Sequence, residues 1–293
     1  MKKEKYVITG RIILLLTSFL VFLPSFCQDF EEDVKFIHHL FNLEAYDEAL
    51  LALDLYDSEY SRGSRRDTIN YFRGKAHYYQ KNIHSSIKYF DQVSQGNPFW
   101  QESQFLSLYQ KSYHFQLEIA KSGWKELDLK DNKFTSVRNF ELAGISLLER
   151  DIKGYEYYSS NVDPQYYLLK SPQENLRKFA TGIREFKSKS PLLAGIFSAI
   201  IPGTGKMYIG KVGEGVISLL TVGIFGLQTW EGYRKDGVKS VRFILFGTAL
   251  TTFYIGNIWG SVLAVKIRND EFNEQINQSV LFTMHVPLRL LFD

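Results

Sequence analysis

The segment Gly203-Thr-Gly205-Lys206 sets two glycines and a lysine where a phosphate-binding loop would use them, so chemistry is sought there first. A loop that cradles phosphates through backbone N–H groups needs a further glycine at position 200 and a serine or threonine after the lysine. Ile200 and Met207 stand there instead. The same pair fails as a dinucleotide fingerprint, because Tyr208 occupies the place of the third glycine. Histidines 38, 39, 77, 84, 114 and 285 show no ligand spacing with acids, and no serine, histidine and aspartate form an arrangement for nucleophilic catalysis. The chain therefore reads as no enzyme, with no catalytic residue, no cofactor and no metal. The glycines serve tight turning and close helix packing instead.

The elements that carry these residues divide the chain unevenly. Its 293 residues suffice for two modest domains, and the 45% of hydrophobic residues gather at the two ends. A net charge of +3 is too small to argue for nucleic acid. Residues 1–27 have the parts of a secretory signal: a basic start at Lys2, Lys3 and Lys5, an apolar stretch from Ile12 to Phe26, and a cleavage site after Cys27. An uncleaved anchor and a lipid-modified Cys27 are the other readings. Cys27 is the only cysteine, so removal of the signal leaves no disulfide framework.

Over residues 28–163 apolar residues recur at helical spacing, and internal similarity follows a period near 35. Aligning Ala49, Ser86, Ala120 and Tyr155 gives steps of 37, 34 and 35. Around Ser86 the pattern adds Gly74 twelve residues before, Phe90 four after, Val93 seven after and Pro98 twelve after. This region resembles the tetratricopeptide repeat, a helix-turn-helix unit of about 34 residues. The resemblance implies a stacked helical array with a concave groove that binds proteins or peptides. Tyr71, Tyr78, Tyr109 and Tyr113 are candidates for that groove, although for any one of them filling a gap between helices is the commoner role. An irregular helical bundle is the plainer alternative.

Residues 164–189 read as a linker and a basic amphipathic helix that starts at Ser171-Pro172 and carries Leu176, Phe179, Ala180, Ile183 and Phe186 on one stripe. It fits an interfacial helix on anionic headgroups, a cap on the repeats, or both at once. Three uncharged stretches follow within 190–266. The last, 243–265, is long enough to cross a bilayer, and the second can be extended to do so. The first is broken at Pro202-Gly203-Thr204-Gly205 and reads as re-entrant or interfacial, with backbone that protein must cover. Two crossings are expected, although three remain open from charge alone. Ser190-Pro191, Ala194-Gly195, Ser198, Pro202-Gly203, Gly205, Tyr208 and Gly210 resemble a glycine-rich two-transmembrane domain of unknown function found in envelope proteins. Thr248, Thr252, Gly256, Gly260 and Ala264 recur every four residues and predict a close-packed ridge, against the preceding span or in a homodimer. In the tail, 267–293, alternation of Val280, Phe282, Met284 and Val286 predicts a short strand.

The expected architecture is mainly α, a tetratricopeptide-like helical repeat array followed by a transmembrane helical hairpin. The expected role is a protein-interaction scaffold or assembly factor, exported behind a signal peptide and held in a bacterial inner membrane with its repeats in the periplasm. Its partners are envelope proteins or peptides and the lipid bilayer, with a homo-oligomer possible and no nucleic acid. The rival is a small oligomeric transport or pore component, with Glu214 and the Pro202–Gly205 turn on a polar path.

Overall fold

A computed structural model of the full chain describes residues 30–59 and 63–292. The expected signal sequence lies outside them. The described residues form thirteen helices and no strand. They belong to two compact units, one ending at Gln110 and the other beginning at Lys111.

The first unit contains α1 (Phe30–Asn42), α2 (Tyr46–Glu59), α3 (Ser64–Tyr79), α4 (Ile83–Phe90) and most of α5 (Trp100–Tyr113). Helices α1 and α2 pack together, as do α3 and α4. Gly74 and Phe90 show why the spacing of twelve and four residues about Ser86 matters. Phe90 is fully buried, worth roughly 1.5–3 kcal/mol of apolar transfer, and lies so close to α3 that a Cβ at Gly74 would sit 2.6 Å from its ring. Ser86, also fully buried, donates its hydroxyl to the Gly74 carbonyl at 2.8 Å.

The second unit contains α6 (Leu117–Glu126), α7 (Asn132–Leu148), α8 (Ile152–Ser160), α9 (Tyr167–Glu185), α10 (Pro191–Ile200), α11 (Thr204–Met207), α12 (Val212–Asp236) and α13 (Val241–Phe292). The same turn joins helices at four places along the chain. Glu44, Lys81, Phe115 and Arg150 each have a left-handed backbone, with φ from 56° to 61°, and the next helix begins two residues later each time. The residue after each donates its N–H to the carbonyl five residues back, as Asn82 does to His77 and Asp151 to Ser146. These turns stand 37, 34 and 35 residues apart, the steps read from the sequence.

Two expectations are corrected here. The tail is helical: Ile276, Val280, Met284 and Leu288, spaced at four, are buried on one face of α13, and Leu281, which broke the strand alternation, is buried beside them. Burial of a helical stripe overrides a short alternating pattern. Helix α9 begins at Tyr167, not at Ser171, because Leu169 joins the buried stripe of Pro172, Leu176 and Ala180 and draws the helix out by a turn. That stripe packs on α7, α8 and α13.

Helices α12 and α13 are each long and apolar enough to cross a membrane. Their most apolar windows have mean hydropathies of 1.4 and 1.3, and only 11% and 6% of those windows is buried within the protein. A helix from the core of a water-soluble domain would be mostly covered. Helix α13 is continuous over 52 residues. Its first half pairs with α12, α10 and α11, and its second half packs on α7 and α9.

Candidate functional site

The motif residues between Ser190 and Gly210 converge on one structure, a helical arm that descends beside α13 and turns back. Ser190 caps α10 by accepting the N–H of Leu193 at 3.4 Å, and Pro191 occupies the first helical position, where its missing N–H costs nothing. Ala194 is fully buried, and a Cβ on Gly195 would lie 2.9 Å from Val262 of α13. At the foot of the arm the backbone leaves the helix. Gly203 takes φ 90°, and any side chain there would overlap the carbonyl of Gly215 on α12. A side chain at Gly205 would overlap the Ala194 carbonyl in the same way. Gly210 has φ 87° and open space around it, so its requirement is conformational alone.

The non-helical backbone of this turn is hydrogen-bonded by side chains. Asn257 Oδ1 accepts the Gly203 N–H at 3.1 Å, while its Nδ2 donates to the Ser198 carbonyl at 3.4 Å. The Gly205 N–H donates to Ser198 Oγ at 3.0 Å, and Ser198 and Ser261 Oγ lie 2.7 Å apart. Ser261 in turn donates to the Asn257 carbonyl at 2.9 Å. With that proton committed, Ser198 is the donor to Ser261, and a directed chain runs from Gly205 through two hydroxyls to α13. Tyr254 donates its hydroxyl to the Ala199 carbonyl at 2.5 Å, and Thr204 donates to the carbonyls of Phe197 and Ile201. Ser198, Asn257 and Ser261 are buried.

The remaining polar groups near the turn are also engaged. Lys206 donates to Ser218 Oγ at 3.1 Å. Glu214 is exposed and pairs with Lys211 at 3.2 Å. Tyr208 meets the edge of Phe197 and carries the Lys189 ammonium 4.5 Å above its ring. The cluster offers bracing rather than acid–base chemistry. Among the described residues, no group of three or more His, Cys, Asp or Glu is placed to hold a metal.

Above the arm, a second set of contacts ties α13 to the helical body. Asn269 brackets the Lys189 backbone, accepting its N–H at 3.3 Å and donating to its carbonyl at 2.8 Å. Phe186 stacks on Phe272 with centroids 3.7 Å apart. Arg150 donates to Asn273 Oδ1 at 3.0 Å from the end of α7, and a side chain at Gly144 would overlap Met284.

The other expected site residues fare unequally. Tyr71 and Tyr109 are buried, 3% and 6% exposed, and belong to the core rather than to a groove. The ring of Tyr71 stacks on Phe99 at 4.1 Å, and its hydroxyl donates to Glu102 at 2.9 Å while accepting from Lys75. Tyr78 is half-buried against Tyr79, whereas Tyr113 is exposed. The ridge of Thr248, Thr252, Gly256, Gly260 and Ala264 is not the seam of the hairpin. Thr248, Thr252 and Gly256 are exposed, and nothing lies within 4 Å of a Cβ at Gly256. The seam combines aromatic and small residues: Phe225 of α12 stacks on Phe253 at 4.9 Å and leans on Phe246, and Gly232 and Gly247 lie close to Phe243 and Thr229. Near the hairpin's tip, Arg242 donates to Glu231 at 2.7 Å. Sequence reasoning missed Tyr254, Asn257 and Ser261. Their signal was three hydrogen-bonding residues at steps of three and four in an apolar helix.

No protein-family model matches the chain, and no solved structure matches it. It is 57% identical over 58 residues to an uncharacterised protein of Methanocaldococcus jannaschii, a match covering 20% of this chain and 57% of the relative. The chain thus spans little more than half the length of that relative.

Proposed function

We propose that the protein is a membrane-anchored interaction scaffold: tetratricopeptide-like helix pairs that bind proteins or peptides, held at the bilayer by the α12–α13 hairpin. The observation that carries this reading is the continuity of α13. One helix of 52 residues supplies both an apolar span and a face buried against α7 and α9. A flexible tether would let α7 and α9 drift from the membrane, whereas a continuous helix would hold them at a set height. The recurring left-handed turns at 37, 34 and 35 residues support the repeat reading. Exposed Tyr113, with half-buried Tyr78, stays a candidate contact for a client. The polar groups of the turn are committed to one another, which favours an anchor over a conducting path.

In this reading the signal sequence exports the body, and the loop bearing Arg234, Lys235, Lys239 and Arg242 stays in the cytoplasm, as the positive-inside rule prefers. The test is made in native membranes on a Cys27→Ser background. Single cysteines replacing Lys153 on α8 and Lys235 should react with an impermeant maleimide from opposite faces. A photo-crosslinker replacing Tyr113 should capture a recurrent partner. Labelling of both cysteines from one face rejects the anchor, and crosslinks that vary from preparation to preparation reject the scaffold.

A further inference from the structure

Helix α10 has ten residues, too few to cross a hydrocarbon core that takes about 20. It is nonetheless apolar on its uncovered face, where Leu192 and Ile200 are 71% and 73% exposed. Its depth can be measured along α13. The arm meets α13 through Lys189 with Asn269, Ser198 with Ser261 and Gly203 with Asn257. It therefore runs antiparallel beside α13 over twelve residue steps, from Asn269 to Asn257, about 18 Å at about 1.5 Å per step. The charges that bound the apolar part of α13 are Arg242 and Lys266. Asn257 lies nine residues from Lys266, about 14 Å, which is just short of the middle of a hydrocarbon core about 30 Å thick.

Beyond that depth the hairpin contacts are between α12 and α13, as in Gly232 against Phe243, Thr229 against Gly247 and Phe225 against Phe246. The return through α11 stays on the body's side of that depth, where Lys206 reaches Ser218 and approaches Gly260, six residues or about 9 Å from Lys266. Helices α10 and α11 thus add cross-section to one half of the hairpin's height and none to the other.

We propose that this arm is a wedge in the leaflet on the side of the helical body, and that it directs the protein to bilayers in which that leaflet is convex. The inference rests on the reading of α12 and α13 as membrane-crossing. An inserted helix displaces lipid over a column about 10 Å wide, and doing so in one leaflet favours curvature that spreads that leaflet. Insertion requires that the turn carry no unpaired backbone group into the hydrocarbon. Asn257 and Ser198 meet that requirement by accepting the N–H groups of Gly203 and Gly205. The partner is therefore a lipid surface recognised by packing, through Leu192, Ile196 and Ile200.

The test reconstitutes the full chain, carrying Cys27→Ser and Lys153→Cys, into phosphatidylcholine vesicles prepared small by sonication or large by extrusion. Impermeant maleimide reports the fraction of molecules with the helical body outside. The proposal expects the ratio of molecules with the body outside to those with it inside to be several-fold higher in small vesicles, whose outer leaflet is convex. Ile196→Ser with Ile200→Ser should abolish the preference, and Ile200→Trp, which enlarges the wedge at an exposed site, should increase it. Equal fractions in both vesicle sizes, or a preference unchanged in both variants, overturn the wedge. Lys153→Cys and Lys235→Cys labelled from one face in these vesicles would instead reject the two-span reading.

Discussion

Asn257 on α13 accepts the N–H of Gly203 at 3.1 Å, so the longest helix of the chain holds the residue at which the short arm turns back. The bond joins positions 54 apart in sequence, and it carries the first prediction. Asn257→Leu strands a buried donor and should cost about 1–3 kcal/mol, whereas Ser261→Ala should cost about 1. Gly203→Ala should be the most damaging of the three, because it combines a left-handed φ with an overlap on Gly215. Thermal unfolding of the full chain in detergent gives the ranking. Wild-type stability of Asn257→Leu would remove the brace from this account.

The glycine and proline positions of the arm were legible in the sequence because glycine marks backbone that other residues cannot adopt. Their partners were not. Asn257 and Ser261 look like two polar residues in an apolar span until another segment is laid beside them, and one sequence does not say which segment that is. The spacing about Ser86 was legible for a similar reason: Gly74 and Phe90 meet within one helix pair, at short range along the chain. Tyr71 and Tyr109 were harder, since tyrosine serves a core and a groove equally well and only the stack on Phe99 places Tyr71. The small-residue ridge misled because a spacing of four marks one face of a helix without saying what lies against it: Gly256 meets open space, while Phe253, three residues before it, packs on Phe225.

That correction gives a second prediction. Phe253→Ala should loosen the α12–α13 pair, losing an aromatic contact worth about 1 kcal/mol together with the packing around it. Gly256→Leu points into open space and should leave the monomer's stability unchanged. Heat-induced loss of monodisperse protein in detergent separates the two. A Gly256→Leu chain that unfolds earlier than Phe253→Ala would restore the ridge as the seam.

In the first unit, Gly74→Ala places a Cβ 2.6 Å from the fully buried Phe90 ring, which cannot retreat without opening the α3–α4 pair. Overpacking of this kind costs about 1–3 kcal/mol. Gly96→Ala, with nothing within 4 Å, is the matched control. Limited proteolysis of the full chain should cut the Gly74 variant faster within residues 30–110 and the control at the wild-type rate. Equal rates would mean that α3 and α4 do not meet through this contact.

The last prediction concerns Glu141 on α7, which is fully buried with neither carboxylate oxygen hydrogen-bonded. Burial disfavours the charged form and holds its pKa well above the usual carboxylate range. In the unfolded chain the group ionises near pH 4.3, about the value of a free glutamate. The raised folded pKa means that the stability difference is fully present below the unfolded value. It is lost progressively as pH rises toward the folded one, because the unfolded chain releases a proton that the folded chain must keep. Glu141→Gln removes that dependence. Its gain in unfolding temperature over wild type should therefore be small at about pH 4 and should grow steadily to about pH 8. A gain that is the same at both ends of the range would mean that Glu141 does not hold a proton in the folded protein.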